Sequence, residues 1–180
     1  MSPAFAVWIT GLPASGKSTI ARALVHELAI RGIDVAVLES DVLRSVLTPH
    51  ATYSDEERDT FYRSMAYIGS LLVSHGVPVI FDATANRRAY REAARSAIER
   101  FVEVYVDCPL DVCIARDPKS IYRKARSGEA STVPGAQSSY ERPEQPDVVV
   151  SGRGEAAAAA RAILRTLERR GYVGRHLVSK

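Results

Sequence analysis

The stretch Gly-Leu-Pro-Ala-Ser-Gly-Lys-Ser-Thr at positions 11–19 constrains the fold more than any other part of the chain. It satisfies the pattern G-x-x-x-x-G-K-[S/T] in full. An apolar run at 5–9 precedes it and suits a buried parallel strand. Apolar residues then recur at helical spacing over 20–28. The pattern predicts a phosphate-binding loop between a strand and a helix N-terminus; the alternative is a glycine-rich turn that binds no ligand.

The residue types in this loop suit a nucleotide polyphosphate. Glycines let the backbone fold around phosphates with its N–H groups turned inward, and the positive end of the following helix dipole adds to the attraction. We expect Lys17 to reach the β- and γ-phosphates and the Ser18 hydroxyl to ligate Mg²⁺. The sequence therefore predicts ATP and Mg²⁺ as cofactors. The residues of this loop expected to bind the nucleotide are Gly11, Ala14, Ser15, Gly16, Lys17, Ser18 and Thr19.

Strand and helix patterns alternate along the 180 residues, which are enough for one domain with a proper core. Such alternation predicts an α/β fold of the P-loop NTPase type, a three-layer arrangement of a five-stranded parallel sheet with helices on both faces and a lid. Strands are predicted at 4–9, 34–38, 78–81, 101–106 and 147–150. Helices are predicted near 17–31, 55–75, 87–99, 110–115 and 154–171. We expect residues 1–180 to form a single domain.

The segment 116–147 departs from this alternation, because it is rich in Pro, Ser and Gly and is too long for an ordinary connection. It also holds a basic cluster: Arg116, Lys119, Arg123, Lys124 and Arg126. Such a cluster is typical of a solvated face or a nucleic-acid patch. Beside a phosphate-binding loop, a lid over residues 117–140 that neutralises phosphate charge is a third interpretation. We expect the lid and no nucleic-acid partner, with a disordered loop as the alternative.

Composition bears on location as well. The chain has a formal net charge of +3, and it contains no hydrophobic run long enough to span a bilayer. Because the N-terminus is itself the first predicted strand, we expect neither a signal peptide nor a membrane partner. Cys108 and Cys113 lack the companion residues of a metal site. We expect both to be reduced, packed thiols in a cytoplasmic protein.

Short length and a single sheet favour a small-molecule kinase over the other classes of phosphate-loop protein. The predicted strand 34–38 leads into Asp41, and in parallel sheets ligands bind at the carboxyl ends of strands. Asp41 is therefore a candidate to orient or deprotonate an acceptor hydroxyl, although it also suits a helix N-cap. Arg44 could bind an acidic acceptor. Asp82 ends the next strand; it suits either an indirect Mg²⁺ ligand, an alternative base, or a carboxylate bonded to backbone or to Ser18.

Beyond these motifs, the chain resembles the adenylylsulfate kinases of sulfate assimilation. The similarity spans nearly the whole chain and is densest at 101–113, continuing through 116–119, 122–129 and 139–146. Members of that family transfer the γ-phosphate of ATP to the 3′-hydroxyl of adenylyl sulfate and are usually homodimers. The resemblance implies the same activity, a small-molecule substrate and a homodimer for this chain.

The resemblance also assigns residues to both substrates. It implies that Asp41 and Lys17 act in catalysis and that Arg116 lies against the adenine of ATP. Tyr53 stands where the family has a phenylalanine that stacks on the acceptor's adenine. The residues that the resemblance places at the acceptor are Asp41, Arg44, Tyr53, Arg58, Phe61 and Lys119.

Departures from the family are concentrated on the acceptor side. Phe61 stands where the family has an acceptor-binding asparagine, and Val133 replaces a phenylalanine of the lid. Residues 82–88 replace an Ile-Ser-Pro-Tyr-Arg turn. These changes motivate an alternative, a kinase of the same fold that phosphorylates a different anionic, hydroxyl-bearing small molecule. A nucleotide-dependent binding or regulatory subunit without catalysis is a third hypothesis, which the intact phosphate-binding loop and Asp41 argue against.

Overall fold

The computed structural model describes residues 4–174, so residues 1–3 and 175–180 of the predicted domain lie outside the described part. The strands are β1 (Ala6–Thr10), β2 (Ala36–Glu39), β3 (Val79–Asp82), β4 (Phe101–Asp107) and β5 (Val148–Ser151). The helices are α1 (Lys17–Ala29), α2 (Ser40–Leu47), α3 (Asp55–Ser74), α4 (Arg88–Ala97), α5 (Leu110–Arg116), α6 (Ile121–Ser127) and α7 (Ala156–Arg169).

The five strands form one parallel sheet in the order β2-β3-β1-β4-β5, which confirms the predicted fold class. The central strand β1 is buried along its whole length. In the register of the sheet, Ile9 lies opposite Asp82 on one side and Val104 on the other. Because every strand runs the same way, the residues that follow β1, β2 and β3 meet at one edge of the sheet.

Alternation along β1 feeds two hydrophobic cores, one on each face of the sheet. Val7 and Ile9 belong to the first core, which α1 and α7 cover with Ile20, Leu24, Leu28, Ile163, Leu164 and Leu167. Ala6 and Trp8 belong to the second core, which α3 and α4 cover with Phe61, Tyr62, Met65, Ala66, Tyr90 and Ala94. Helices therefore cover both faces of the sheet, so a ligand site is expected at the ends of the strands.

The second core depends on a close approach of α3 to the sheet. The Trp8 and Phe81 rings stack with centroids 4.5 Å apart, and the indole N–H of Trp8 donates to the Ala83 carbonyl at 3.1 Å. A Cβ on Gly69 of α3 would lie 2.1 Å from the Phe81 ring. A glycine is required there because no side chain fits between the helix and the stacked rings.

All predicted strands and all five predicted helices are present, with ends shifted by a few residues. Two short helices were not predicted from the sequence. In α2 the apolar side chains of Val42 and Val46 are exposed, so the spacing of apolar residues in its sequence does not indicate a helix with a buried face. The other, α6, lies in the Pro- and Ser-rich segment interpreted as a lid or loop. Within residues 4–174, none of the helices has the length and apolar character needed to cross a membrane.

Candidate active site

A cavity of about 1130 Å³ opens at the carboxyl edge of the sheet. Its walls come from the phosphate-binding loop (residues 11–19), from the residues after β2 and β3, and from the lid (residues 117–140). Most of the site residues predicted from the sequence line it: Ala14, Ser15, Gly16, Lys17, Ser18, Thr19, Asp41, Arg44, Tyr53, Arg58, Arg116 and Lys119. Gly11 and Phe61 lie just outside the lining.

The phosphate-binding loop has the backbone conformation that its glycines allow. Gly16 has a φ of 104° and precedes the first residue of α1, a position that disfavours a side chain. A Cβ on Gly11 would lie 2.8 Å from the Ser15 hydroxyl and 2.9 Å from the Val106 carbonyl. Gly11 therefore does not line the cavity; its lack of a side chain lets the phosphate-binding loop pack against the end of β4.

Lys17 is folded against its own loop. Its ammonium donates to the Gly11 carbonyl at 3.1 Å and to the Leu12 carbonyl at 2.9 Å. Burial lowers the pKa of Lys17, while the carboxylates of Asp82 and Asp41 oppose that shift. Within residues 4–174 the Lys17 ammonium bonds two carbonyls and no carboxylate. A phosphate oxygen would supply the anionic hydrogen-bond partner that it lacks there.

Asp41 lies in the first turn of α2, whereas Glu39 occupies the N-cap position. The helix-cap interpretation of Asp41 is therefore wrong. Its carboxylate accepts a hydrogen bond from the ammonium of Lys119 in the lid. That hydrogen bond raises the pKa of Lys119. The structure thus brings together two predicted site residues from distant parts of the sequence.

Three side chains form one wall of the cavity, called here the acceptor wall: Arg44, Tyr53 and Arg58. The Tyr53 ring lies between the two guanidinium groups, 5.0 Å from that of Arg44 and 5.5 Å from that of Arg58. Arg44 also stacks on Phe61 at 3.9 Å. Phe61 is buried and lies behind Arg44, so it supports the wall without facing the cavity.

Arg58 joins the acceptor wall to the lid. Its guanidinium donates to the Tyr53 carbonyl at 3.1 Å and to the Thr132 carbonyl at 2.8 Å. A longer hydrogen bond, 3.5 Å, reaches the Asn86 side chain, whose amide donates to the Ser139 carbonyl. The C-terminal part of the lid is therefore bonded to α3 through Thr132 and to the loop after β3 through Ser139, and neither was among the site residues predicted from the sequence.

The opposite end of the cavity is formed by Arg116 and the turn after β5. Arg116 donates to the Gly152 carbonyl at 2.7 Å. A Cβ on Gly152 would lie 2.5 Å from the Cβ of Cys108 and 2.7 Å from the Ser15 carbonyl. Gly152 was missed from the sequence, although the pair of glycines at 152 and 154 after the last strand was an available signal.

Asp82 is 5% exposed and lines the cavity at the end of β3. None of the hydrogen bonds or ion pairs between residues 4–174 involves its carboxylate, so the predicted bond to backbone or to Ser18 is not formed. Among charged groups, the Asp82 carboxylate does most to raise the pKa of Lys17 against the effect of burial. A buried carboxylate facing a polar cavity in this way is suited to a cation or to an ordered water.

Comparisons with known proteins agree with this geometry. The family model described as "Adenylylsulphate kinase" matches residues 3–151. An adenylyl-sulfate kinase from Microcystis aeruginosa is 42% identical over 142 residues, covering 79% of this chain and 78% of that protein. One from Synechococcus sp. (strain JA-2-3B'a(2-13)) is 38% identical over 168 residues, covering 93% and 96%.

A solved structure is similar over almost the same length. The Mycobacterium tuberculosis APS kinase CysC, in complex with AMPPNP and APS, superposes with a TM-score of 0.87 at 34% identity. The match covers 93% of this chain and 99% of that one. The similarity therefore includes the lid and the strand ends as well as the phosphate-binding loop.

Proposed function

We propose, from the premise that this chain belongs to the adenylylsulfate kinase family, that it transfers the γ-phosphate of ATP to the 3′-hydroxyl of adenylyl sulfate. The observation that carries the proposal is one cavity with a phosphate-binding loop, an acidic residue and an Arg-Tyr-Arg wall. The Mycobacterium tuberculosis relative was solved with an ATP analogue and APS together. The alternative of an unrelated anionic acceptor is not favoured, because the relatives just described are adenylyl-sulfate kinases.

ATP is proposed to bind between the phosphate-binding loop and Arg116. The loop amides and Lys17 would hold the phosphates, and Arg116 with the Gly152 turn would flank the adenine. Adenylyl sulfate would occupy the acceptor wall, with its adenine on Tyr53 and its anionic groups near Arg44 and Arg58. Phe61 would act through Arg44.

Mg²⁺ is proposed as the second cofactor, and the donor set fits it. The Ser18 hydroxyl and the Asp82 carboxylate both line the cavity beside Lys17, and hard oxygen ligands are those that Mg²⁺ prefers. Ser18 would hold the ion directly and Asp82 through water. The ion would neutralise phosphate charge during transfer.

The residues of the chain then divide the reaction between them. Lys119 would first release the Asp41 carboxylate and bind phosphate oxygens instead. Asp41 would then orient the 3′-hydroxyl and accept its proton. Lys17 and Lys119 would stabilise the charge that develops during transfer. The lid would exclude water and so limit ATP hydrolysis.

We also propose that residues 1–180 form one kinase domain with residues 117–140 as its lid, that the protein is a homodimer, and that it is cytoplasmic. The homodimer is supported by the family resemblance and by the exposed apolar side chains of Val42, Val46 and Leu47. The location is supported by two buried free thiols. Light scattering of the purified protein tests the dimer, and a Val46→Asp variant should shift it toward monomer.

Turnover of the purified protein tests the activity. The protein is incubated with ATP, Mg²⁺ and adenylyl sulfate, and the 3′-phosphorylated product is separated by ion-pair chromatography. In parallel, matched non-nucleotide alcohols that carry a phosphate or sulfate replace adenylyl sulfate. We expect kcat/KM to be highest for adenylyl sulfate. Faster turnover of any non-nucleotide acceptor would reject the assignment.

A further inference from the structure

The backbone of the acceptor wall is held in an unfavourable conformation. Tyr53 has a φ of 56°, in the left-handed region that residues with a side chain rarely adopt. Such a conformation is unfavourable and persists only where neighbouring groups enforce it. Tyr53 is also 44% exposed, so packing of its ring does not enforce it. Hydrogen bonds hold its backbone instead: Arg58 donates to the Tyr53 carbonyl, and a second interaction holds the Tyr53 N–H.

The side chain of Glu57, in the first turn of α3, supplies that interaction. One carboxylate oxygen accepts from the Thr52 backbone N–H at 2.6 Å and from the Thr52 hydroxyl at 2.8 Å. The other oxygen accepts from the Tyr53 backbone N–H at 3.2 Å. Two successive amides thus point at one carboxylate, which fixes the peptide plane on the N-terminal side of Tyr53.

The start of α3 locks the carboxylate in place in return. The Ser54 hydroxyl caps the helix by accepting from the Glu57 backbone N–H at 3.2 Å. Ser54 and Glu57 have the S-x-x-E spacing of a capping box, but the Glu57 carboxylate reaches past the Ser54 N–H to those of Thr52 and Tyr53. This arrangement orients the Glu57 side chain back along the helix axis toward the loop, where the Thr52 and Tyr53 amides lie.

The same carboxylate also orients Arg44. Its Oε1 atom lies 3.3 Å from one guanidinium nitrogen of Arg44, whose side chain is only 9% exposed. The other terminal nitrogen, Nη2, has no hydrogen-bond partner among residues 4–174. Phe61 supports the guanidinium from one side at 3.9 Å. Among residues 4–174, Glu57 is therefore the only side chain hydrogen-bonded both to Arg44 and to Tyr53.

We propose that Glu57 is a positioning residue for the acceptor: it sets the Tyr53 ring and the Arg44 guanidinium in the relative position that binds adenylyl sulfate. The inference rests on the proposed function, since adenylyl sulfate is the acceptor named there. Glu57 itself does not line the cavity. Its action passes through the hydrogen bonds to residues 52 and 53 and the ion pair with Arg44.

The central test is a comparison of Glu57→Gln with Glu56→Gln. Glu56 is an exposed neighbour on the same helical turn, so its replacement removes an equal charge without touching the wall. For Glu57→Gln we expect KM for adenylyl sulfate to rise about tenfold, because charge-assisted hydrogen bonds to the wall are lost. KM for ATP and kcat at saturating acceptor should stay within about threefold, and Glu56→Gln should match the wild type.

Thr52→Val is a milder second variant in case Glu57→Gln folds poorly. It removes the hydrogen bonds of the Thr52 hydroxyl with Glu57 and Ser54 and leaves both backbone amides bonded to Glu57. We expect KM for adenylyl sulfate to rise by about threefold or less, with thermal unfolding close to that of the wild type. A merely structural role for Glu57 would instead change the kinetic constants for ATP and for adenylyl sulfate in the same proportion, which would overturn the inference.

A readout that needs no substrate separates this inference from the proposed function. Chymotrypsin cleaves after tyrosine, and the Tyr53 bond should become more accessible when Glu57 no longer holds the loop. We expect cleavage after Tyr53, mapped by mass spectrometry, to be at least fivefold faster in Glu57→Gln than in Glu56→Gln. A wild-type protein inactive on adenylyl sulfate with this faster cleavage would reject the proposed function and keep the loop assignment. Unchanged cleavage, or an unchanged KM in an active enzyme, would overturn the role of Glu57.

Discussion

The ammonium of Lys119, in the lid, donates a hydrogen bond to the carboxylate of Asp41, at the start of α2. Both side chains are mostly exposed, 60% for Lys119 and 64% for Asp41. An ion pair this exposed contributes at most about 1 kcal/mol, so it exchanges readily for other partners. The contact therefore holds a lid cation beside the candidate base without fixing it there. The two residues proposed to act on the same phosphoryl transfer are therefore already neighbours.

Replacing Asp41 by Asn should remove turnover and leave ATP binding intact. The variant keeps the shape of the side chain but loses the charge that orients and accepts a proton from the hydroxyl. We expect kcat to fall by about 10²- to 10⁴-fold, as for the loss of other general bases. Steady-state kinetics with adenylyl sulfate measures the fall, and calorimetry with a non-hydrolysable ATP analogue checks that Kd stays within about threefold.

Asp34→Asn is the matched control for that experiment. Asp34 is exposed and precedes β2, at the edge of the sheet opposite the cavity. Its replacement should leave both kcat and the Kd of the ATP analogue unchanged. Phosphoryl transfer at the wild-type rate in Asp41→Asn would show that another group, with Asp82 as the nearest candidate, takes the proton.

The lid should be protected from trypsin when both substrates are bound. Side-chain hydrogen bonds join the lid to the rest of the site at Lys119, Tyr122, Thr132, Ser139 and Tyr140. Exposed trypsin sites follow Arg123, Lys124 and Arg126 in α6. With adenylyl sulfate and an ATP analogue present, we expect cleavage at these bonds to slow at least fivefold. A rate unaffected by the two ligands together would contradict closure.

Local chemistry made the fold predictable from the sequence. The apolar run of β1 and the glycines and lysine after it belong to one short segment, so strand, loop and helix could be placed from neighbours alone. Gly32 and Gly76 follow α1 and α3, and both have the positive φ angles, 69° and 83°, that glycines often adopt just after a helix. The helices α2 and α6 could not be placed in this way, because Val42, Val46 and Leu47 of α2 are exposed and Tyr122 of α6 is bonded to the distant Pro13.

The site was predictable only where one residue carries its own signal. Asp41 and Arg44 were found because they follow a strand, and the resemblance to a family supplied Arg58 and Lys119. Gly152 was missed because the need for a glycine arises from Cys108 and Ser15, which are distant in sequence. Thr132 and Asn86 matter through hydrogen bonds to Arg58 that no spacing reveals. Glu57 had a local signal, the capping-box spacing with Ser54, which explains its position but not its bond to Arg44.

Gly152→Ala should destabilise the protein and weaken ATP binding. The added methyl would lie 2.5 Å from the Cβ of Cys108 and 2.7 Å from the Ser15 carbonyl, so the turn and the phosphate-binding loop must separate. Overpacking of this kind costs about 1–3 kcal/mol in the free energy of unfolding. Urea denaturation measures that loss, and calorimetry should show a Kd for the ATP analogue raised severalfold.

Gly154→Ala serves as the control for Gly152→Ala. Its Cβ would meet no described atom closer than 3.6 Å, which is ordinary contact, so both stability and ATP affinity should match the wild type. If the two variants were equally stable, the tight contact of Gly152 with Cys108 and Ser15 would not be a feature of the protein in solution.

The stabilising effect of Glu57 should disappear in acid. Hydrogen bonds from the Thr52 backbone N–H above all, together with the Thr52 hydroxyl, the Tyr53 N–H and Arg44, lower the pKa of Glu57 below its ordinary 4.5. A carboxylate with a depressed pKa contributes stability above its unfolded value and loses it as pH falls through the folded value. The difference in the free energy of unfolding between wild type and Glu57→Gln should therefore be constant near neutral pH and shrink below about 4.5. A difference independent of pH down to 3 would contradict this.

The two thiols should resist a thiol reagent in the folded protein and react at once in the unfolded one. Cys108 and Cys113 are 3% and 0% exposed, and burial, followed by the proximity of Cys108, raises the pKa of Cys113 to about 12. Only the thiolate reacts, and at pH 8 very little of a thiol with so raised a pKa is ionised. Labelling with a disulfide reagent should therefore follow the rate of opening of the native protein, with two equivalents released rapidly in urea. A Cys113→Ser variant isolates Cys108, and fast labelling of either thiol in the native wild type would show that the α5 region opens freely.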